Sequence, residues 1–212
     1  MKLYSYFRSS AAYRVRIALN LKGLDYEYVA VHIVKGEQHA PAYALVNPQA
    51  LVPTLVDDEG THRQSLAIIE YLEERHPAPP LLPADAVGRA RVRGLALAIA
   101  CDIHPLNNTR VLQYLKRTLE VSDEQRDAWY QHWVSVGFAA LEKQLAAETA
   151  TGLCCHGDTP TLADVCLVPQ VANARRSKVP LAPYPTLERI DAHCRSLPAF
   201  AAAAPDRQPD AA

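Results

Sequence analysis

The sequence lacks three features that would each narrow its class at once. No run of apolar residues approaches the roughly 20 that a helix needs to cross a bilayer. Neither charge is in excess, since 22 Lys and Arg stand against 23 Asp and Glu, so no overall field favours nucleic acid or an acidic membrane. The five cysteines include no Cys-x-x-Cys pair, and the eight histidines show no metal-ligand spacing, which argues against a disulfide scaffold or a metal site. Because the chain also enters a strand pattern at Lys2 with no charged-then-apolar leader, we expect a soluble cytoplasmic protein.

The most informative stretch is residues 4–23, which has the pattern of a strand end, a polar turn and an amphipathic helix. Arg8, Ser9 and Ser10 stand at the junction of strand and helix, and Gly23 supplies the stop signal. Unpaired N–H groups and the positive end of the helix dipole favour an anion at such a place, and hydroxyls can donate to it. The opening of the chain therefore predicts an anion site.

The order of elements predicts an α/β domain at the start of the chain. Strand patterns at residues 2–6 and 26–31 flank the first helix as a βαβ unit. Residues 33–46 read as a polar, irregular connection, and a hairpin follows from residue 51. Pro53 removes a ladder donor from its strand, so it belongs at an edge or bend, where a cis bond can occur. Ser65 is predicted to cap a final helix of this domain.

The rest of the chain is predicted to be helical. Four prolines between residues 77 and 83 mark a boundary, so we expect a domain at 1–80, a linker at about 77–86 and an all-helical domain at 87–212. Helical patterns extend from about 86 to 119 with a bend near Pro105, from a capping box at residues 122–125 to about 145, and from a second cap at Thr161 and Asp164. Pro185 is predicted to open the last helix, and the tail from Pro205 is expected to be loose.

Taken together, these motifs resemble the glutathione transferases, which join a thioredoxin-like βαβ-ββα domain to an all-helical domain. The resemblance covers essentially the whole chain, and within the superfamily it is strongest to the zeta class, which includes maleylacetoacetate and maleylpyruvate isomerases. It rests on five ordered stretches, namely residues 4–23, Asn47-Pro48 with 52–55, 64–73, 103–108 and 161–178.

The resemblance implies a glutathione-dependent cis–trans isomerase of a small diacid. A thiolate that adds reversibly to a double bond leaves a single bond that can rotate, so the glutathione thiol must ionise near neutral pH. Ser9, with Ser10, is expected to donate to the sulfur, and Arg8 to lower the thiol pKa and bind substrate. Many family members have cysteine where this chain has Ala11. We interpret Ala11 to mean that the hydroxyls and the helix end activate the thiol here.

The resemblance also assigns positions that hold the two ligands. The backbone of glutathione is assigned to Val52 beside Pro53, and its γ-glutamyl end to Gln64 and Ser65. The substrate carboxylates are assigned to arginines, because a planar guanidinium pairs bidentately with carboxylate. The remaining candidates for glutathione are Ser9, Ser10, Ala11, Gln38, His104 and Asn108, and those for substrate are Arg8, Asn108, Arg110 and Arg176. A homodimer is also expected.

Several functions remain open at this point. The same thiolate could serve a transferase that conjugates glutathione to small electrophiles or haloacids, and a non-catalytic binding protein is an alternative of another class. A disulfide reductase is disfavoured because the opening turn has no cysteine. Residues 102–110 resemble the maleylpyruvate branch, whereas residues 7–10 and 168–174 resemble the maleylacetoacetate branch, which we favour narrowly.

Overall fold

The structure, a computed structural model, describes residues 1–211 and contains two compact units. One unit comprises Met1–Leu81 together with the segment from Arg195 onward, and the other comprises Leu82–Cys194. Within the described residues, no helix combines the length and the apolar character that crossing a membrane requires.

The first unit is built on a mixed sheet with the strand order β2-β1-β3-β4. Strand β1 pairs in parallel with β2 and antiparallel with β3, which in turn pairs antiparallel with β4. This order confirms the predicted thioredoxin-like βαβ-ββα pattern. The strands are β1 (Lys2–Ser5), β2 (Glu27–Ala30), β3 (Thr54–Asp57) and β4 (Gly60–Arg63), and the helices are α1 (Ser10–Leu21), α2 (Pro41–Val46) and α3 (Ser65–Arg75).

Helix α1 begins and ends as the sequence predicts. The Ser9 side chain accepts a hydrogen bond from the Ala12 amide, and Gly23 follows the helix with a φ of 64°, a left-handed conformation that glycine adopts at little cost. The helix packs on α3, and both helices carry fully buried side chains, among them Val15 and Ile68. Its cap therefore fixes the turn that precedes it.

Residues 33–46 are more regular than predicted. They contain a 3₁₀ turn at Glu37–His39 and the short helix α2, in which only Tyr43 is buried. Because one buried residue produces no apolar period, the sequence carried no helical signal there. The Tyr43 hydroxyl donates to the carbonyl of Leu51 at 2.6 Å, which ties the helix to the loop before β3.

The second unit is helical, and two of its helices start as predicted. Capping boxes form at Ser122 with Gln125 and at Thr161 with Asp164. The predicted run from 86 to 119 is divided by a π turn at Ala98–Ile103 and a 3₁₀ turn at Pro105–Asn107. The helices are α4 (Ala86–Leu97), α5 (Thr109–Arg117), α6 (Asp123–Ala147), α7 (Leu162–Arg176) and α8 (Pro185–Ser196).

The segment after α8 differs most from the prediction. Pro185 opens α8 as predicted, but α8 is not the last helix, since α9 (Pro198–Ala203) and a 3₁₀ turn at Pro205–Arg207 follow it. The tail is not loose, because α9 packs on α1 and the Gln208 side chain donates to the carbonyls of Ala202 and Ala204. The predicted domains, 1–80 and 87–212, divide the chain by sequence, whereas contacts place this last segment with the first unit.

Candidate active site

Strand register places three of the predicted glutathione segments at one edge of the sheet. Tyr4 pairs with Thr54, and Thr54 pairs with Arg63. The chain therefore leaves β1, enters β3 and leaves β4 at the same edge. That edge carries the turn before α1, the Val52-Pro53 step and the start of α3.

The turn between β1 and α1 carries a half-buried hydroxyl, that of Ser9, and an exposed guanidinium, that of Arg8. The Ser9 oxygen accepts from the Ala12 amide at 3.2 Å, which leaves the hydroxyl proton to be donated elsewhere. Arg8 is exposed, and its guanidinium carbon lies 4.9 Å from the centre of the Phe7 ring, within the range of a cation–π contact. Ser10, by contrast, is buried as the first residue of α1. The geometry thus favours Ser9 over Ser10 as a donor to a bound sulfur.

The Val52-Pro53 step and Gln38 offer polar groups that can form hydrogen bonds with a bound peptide. The Val52-Pro53 bond is cis. Within residues 1–211 neither the N–H nor the C=O of Val52 has a hydrogen-bond partner, and the Gln38 Oε1 is a buried acceptor without one. Buried polar groups are normally paired, so these atoms fit the main chain of a tripeptide such as glutathione.

The start of α3 has unpaired helical N–H groups of the kind that can bind an anion. Its first intrahelical bond is from the Ile68 amide to the Gln64 carbonyl, so the preceding N–H groups have no partner within the helix. The prediction that Ser65 caps the helix is wrong, because Ser65 is the first helical residue. Gln64 occupies the cap position, without a capping hydrogen bond. Gln64 has a φ of 71°, a conformation that costs energy in a non-glycine residue and is often found at ligand sites.

A buried arginine that the sequence analysis missed supports this anion site. Arg14 lies on α1, is 2% exposed, and donates from Nη1 to the Ser65 Oγ at 3.3 Å. Because the Ser65 oxygen accepts this bond, its hydroxyl proton must point elsewhere. The only feature of the sequence that could have pointed to Arg14 is a charged residue among the apolar positions of α1, a helix that is largely buried.

We expect replacement of Ser65 by alanine to weaken glutathione binding with little change in kcat. A hydrogen bond to a charged group contributes about 1.5–3 kcal/mol, so the KM for glutathione should rise roughly 10- to 150-fold. Steady-state kinetics with varied glutathione measures the change. Ser65→Thr, which keeps the hydroxyl, is the matched control, and an unchanged KM in Ser65→Ala would remove this residue from the site.

In the second unit, the predicted polar residues cluster around the start of α5. Asn108 caps α5, where its Oδ1 accepts from the Arg110 amide at 3.1 Å. Its Nδ2 lies 3.4 Å from the His104 Nε2. The Asn108 oxygen is therefore used by the helix, and the amide NH₂ is the group suited to a keto oxygen. The Arg110 side chain is exposed.

Two adjacent arginines at the end of α7 have different surroundings. Arg175 Nη1 donates to the buried Asp191 carboxylate at 2.6 Å, which gives it a structural role. Arg176 is exposed. Burial of Tyr130 raises the pKa of its hydroxyl, and the positive charge of Arg176 partly offsets that rise. Of these two arginines, Arg175 is held in an ion pair with Asp191, whereas Arg176, the predicted substrate residue, has an exposed side chain.

A compact group of potential metal ligands, Cys154, Asp164 and Cys194, is fully buried in the second unit. The Asp164 oxygens already accept from the Cys155 amide and from the amide and hydroxyl of Thr161. The hydrogen bond with Cys154, together with burial, raises the pKa of the Cys194 thiol. These groups therefore form a hydrogen-bonded core, and Cys194 remains an un-ionised thiol at neutral pH.

Comparison with known proteins connects this geometry to a family. The family model for the N-terminal domain of glutathione S-transferase matches residues 3–80. A probable maleylacetoacetate isomerase of Vibrio cholerae is 54% identical over 211 residues, which are 99% of this chain and 97% of the relative. A holo structure of maleyl pyruvate isomerase, described as a bacterial glutathione S-transferase in the zeta class, has a TM-score of 0.98 and 53% identity, and each chain is fully covered.

The chain belongs to the zeta class of the glutathione S-transferases. The predicted family and fold are thereby confirmed. One zeta-class structure, a maleylacetoacetate isomerase from Anaeromyxobacter dehalogenans 2CP-1, holds dicarboxyethyl glutathione and citrate in its active site. It is 47% identical to this zeta-class chain, with a TM-score of 0.87. The match covers 100% of this chain and 97% of the Anaeromyxobacter chain.

Proposed function

We propose that this chain is a glutathione-dependent cis–trans isomerase of a small diacid, such as maleylacetoacetate or maleylpyruvate. The observation that carries the proposal is the turn before α1, where the Ser9 hydroxyl keeps a proton to donate and the Arg8 side chain is exposed one residue away. Relatives named for both substrates support the reaction class. A solved relative with a glutathione adduct and citrate in its active site supports the ligands.

The residues at the sheet edge fit glutathione by their unmet polar groups. The Val52 amide and carbonyl can pair with its backbone, the Gln38 oxygen can accept a donor from it, and the N–H groups at Ser65 can hold its γ-glutamyl carboxylate. Bound glutathione supplies a thiol that adds reversibly to the double bond of the substrate. The chain's own task is to hold this thiol and to stabilise its negative charge.

Ser9 and Arg8 perform that task together. The Ser9 hydroxyl donates to the sulfur, and the α1 dipole favours negative charge at the same place. Arg8 adds a permanent positive charge, which lowers the thiol pKa and pairs with a substrate carboxylate. Ala11 contributes no donor, so the serine and the helix end must suffice. We assign the other substrate groups to Arg110, Arg176 and the Asn108 amide NH₂.

Assays of both substrates with and without glutathione test the proposed function. We expect turnover of at least one of them only when glutathione is present, and the ratio of the two kcat/KM values identifies the physiological branch. Turnover in the absence of glutathione, or no turnover of either diacid, would contradict the proposed function.

A transferase for haloacids and small electrophiles is the second candidate, because it needs the same activated thiol. Its assay is the formation of a stable conjugate under the same conditions. Conjugation without isomerisation would favour that function.

The non-catalytic alternative is opposed by the presence of Ser9 and of the Gln64-Ser65 pair. The proposal also includes action as a homodimer in the cytoplasm, on the strength of the sequence resemblance.

A further inference from the structure

The end of the chain contacts the turn that carries Arg8 and Ser9. The Phe7 amide donates to Asp210 Oδ2 at 3.1 Å, although 203 positions separate the two residues. The other oxygen of the same carboxylate, Oδ1, accepts from the Tyr28 hydroxyl at 2.6 Å. Asp210 therefore joins the turn to a residue of β2.

The Phe7 carbonyl is held as well as its amide. Arg16, fully buried on α1, donates to the Phe7 carbonyl at 3.2 Å and to the Tyr6 carbonyl at 3.4 Å. The same guanidinium donates from Nε to the Ala203 carbonyl at 3.0 Å, at the end of α9. The backbone immediately before Arg8 is thus fixed from two sides, by a buried cation and by a carboxylate of the tail.

The tail that carries this carboxylate is itself well anchored. Gln208 is 8% exposed, and its side-chain amide donates to the carbonyls of Ala202 at 3.0 Å and Ala204 at 2.8 Å. Burial, followed by the hydrogen bond to Asp210, raises the pKa of Tyr28, so this hydroxyl stays a donor at physiological pH. Asp210 is consequently presented from a fixed segment.

We propose that Asp210 is a positioning residue that acts on the reaction through Phe7 and Arg8. The Phe7 ring lies 4.9 Å from the Arg8 guanidinium, so a displaced Phe7 moves the cation that faces the reacting thiol and the substrate carboxylate. The inference rests on the proposed function. It assigns the C-terminal tail a role in preorganising the catalytic turn, at a distance from the bonds that change.

Replacement of Asp210 by alanine tests the role. We expect kcat to fall about tenfold because Arg8 loses its fixed placement. The dissociation constant of glutathione should change less than twofold, because we assign glutathione binding mainly to Val52 and the start of α3. Asp206→Ala removes the same charge from an exposed position in the same tail and should leave kcat unchanged. Asp210→Asn keeps an acceptor for the Phe7 amide and should recover part of the rate.

A double-mutant cycle separates positioning from loss of stability. In an Arg8→Ala background, Asp210→Ala should have no further effect on kcat, since its route to the reaction is already removed. An equal loss in both backgrounds would overturn the inference. Hydrogen exchange of residues 6–9 gives a readout independent of turnover, and it should accelerate in Asp210→Ala but not in Asp206→Ala.

Different results contradict the proposed function and the role of Asp210. An unaltered chain that shows no glutathione-dependent turnover contradicts the proposed function. Unchanged exchange and unchanged kcat in Asp210→Ala, in a chain that does turn over, contradict only the role of Asp210.

Discussion

Replacing Ser9 with alanine should lower kcat by about 10²- to 10³-fold, the range seen when one donor to a developing negative charge is removed. The Ser9 oxygen already accepts from the Ala12 amide, so its proton is the group that can stabilise a thiolate. Without it, the pKa of the bound thiol should rise, which ultraviolet absorbance of the thiolate against pH can measure. The dissociation constant of glutathione should change much less than kcat.

Because Ser9 also caps α1, its loss should destabilise the fold by about 1 kcal/mol, and two variants separate the roles. Ser9→Asp retains a capping oxygen but places a negative charge beside the sulfur, so we expect normal thermal stability with almost no activity. Ser9→Thr keeps both the cap and the hydroxyl and should remain active. If Ser9→Ala keeps its rate, the hydroxyl has no part in the mechanism.

Replacing Asp164 with alanine should have the largest effect on stability. This carboxylate is fully buried and accepts from the Cys155 amide at 2.7 Å and from the Thr161 amide at 2.8 Å. Alanine leaves two buried N–H groups without acceptors, at about 1–3 kcal/mol each. We expect a loss of roughly 3–4 kcal/mol, or about 6–16 °C in Tm for a chain of this length. Thermal denaturation followed by circular dichroism measures it.

Asp123 provides a matched control for Asp164. Both are acidic residues in the first turn of a helix, but Asp123 is exposed. Asp123→Ala should therefore leave Tm nearly unchanged, while Thr161→Ser should preserve the capping box and the stability. A small effect in Asp164→Ala would mean that water or a neighbouring group satisfies the two amides.

The features that the sequence predicted correctly are local ones. The start of α1 at the polar turn, the stop at Gly23 and the two capping boxes depend on residues within a few positions of one another, and each has a recognisable spacing. The same holds for the βαβ-ββα order, which follows from the alternation of patterns along the chain. Such features need no knowledge of the folded core.

The features that it missed depend on contacts between distant segments. The sequence predicts a loose tail at Asp210 because its partners, Phe7 and Tyr28, lie some 180 to 200 positions away. The sequence favours Ser65 as a cap because the positive φ of Gln64 leaves no mark in the sequence. Arg14 escaped notice because only the fold brings α1 beside the first residue of α3.

The arrangement of the sheet divides its loops into two kinds. The segments proposed to hold glutathione follow Tyr4 and Arg63 and precede Thr54 at one edge. The α1–β2 connection and the turn between Asp57 and Gly60 lie at the opposite edge, next to the Lys2–Glu27 pair. We expect insertions and deletions at that edge to lengthen or shorten the chain without moving a residue proposed to hold a ligand. Evolution can thus vary the length of the domain at one end of the strands while the other end keeps its chemistry.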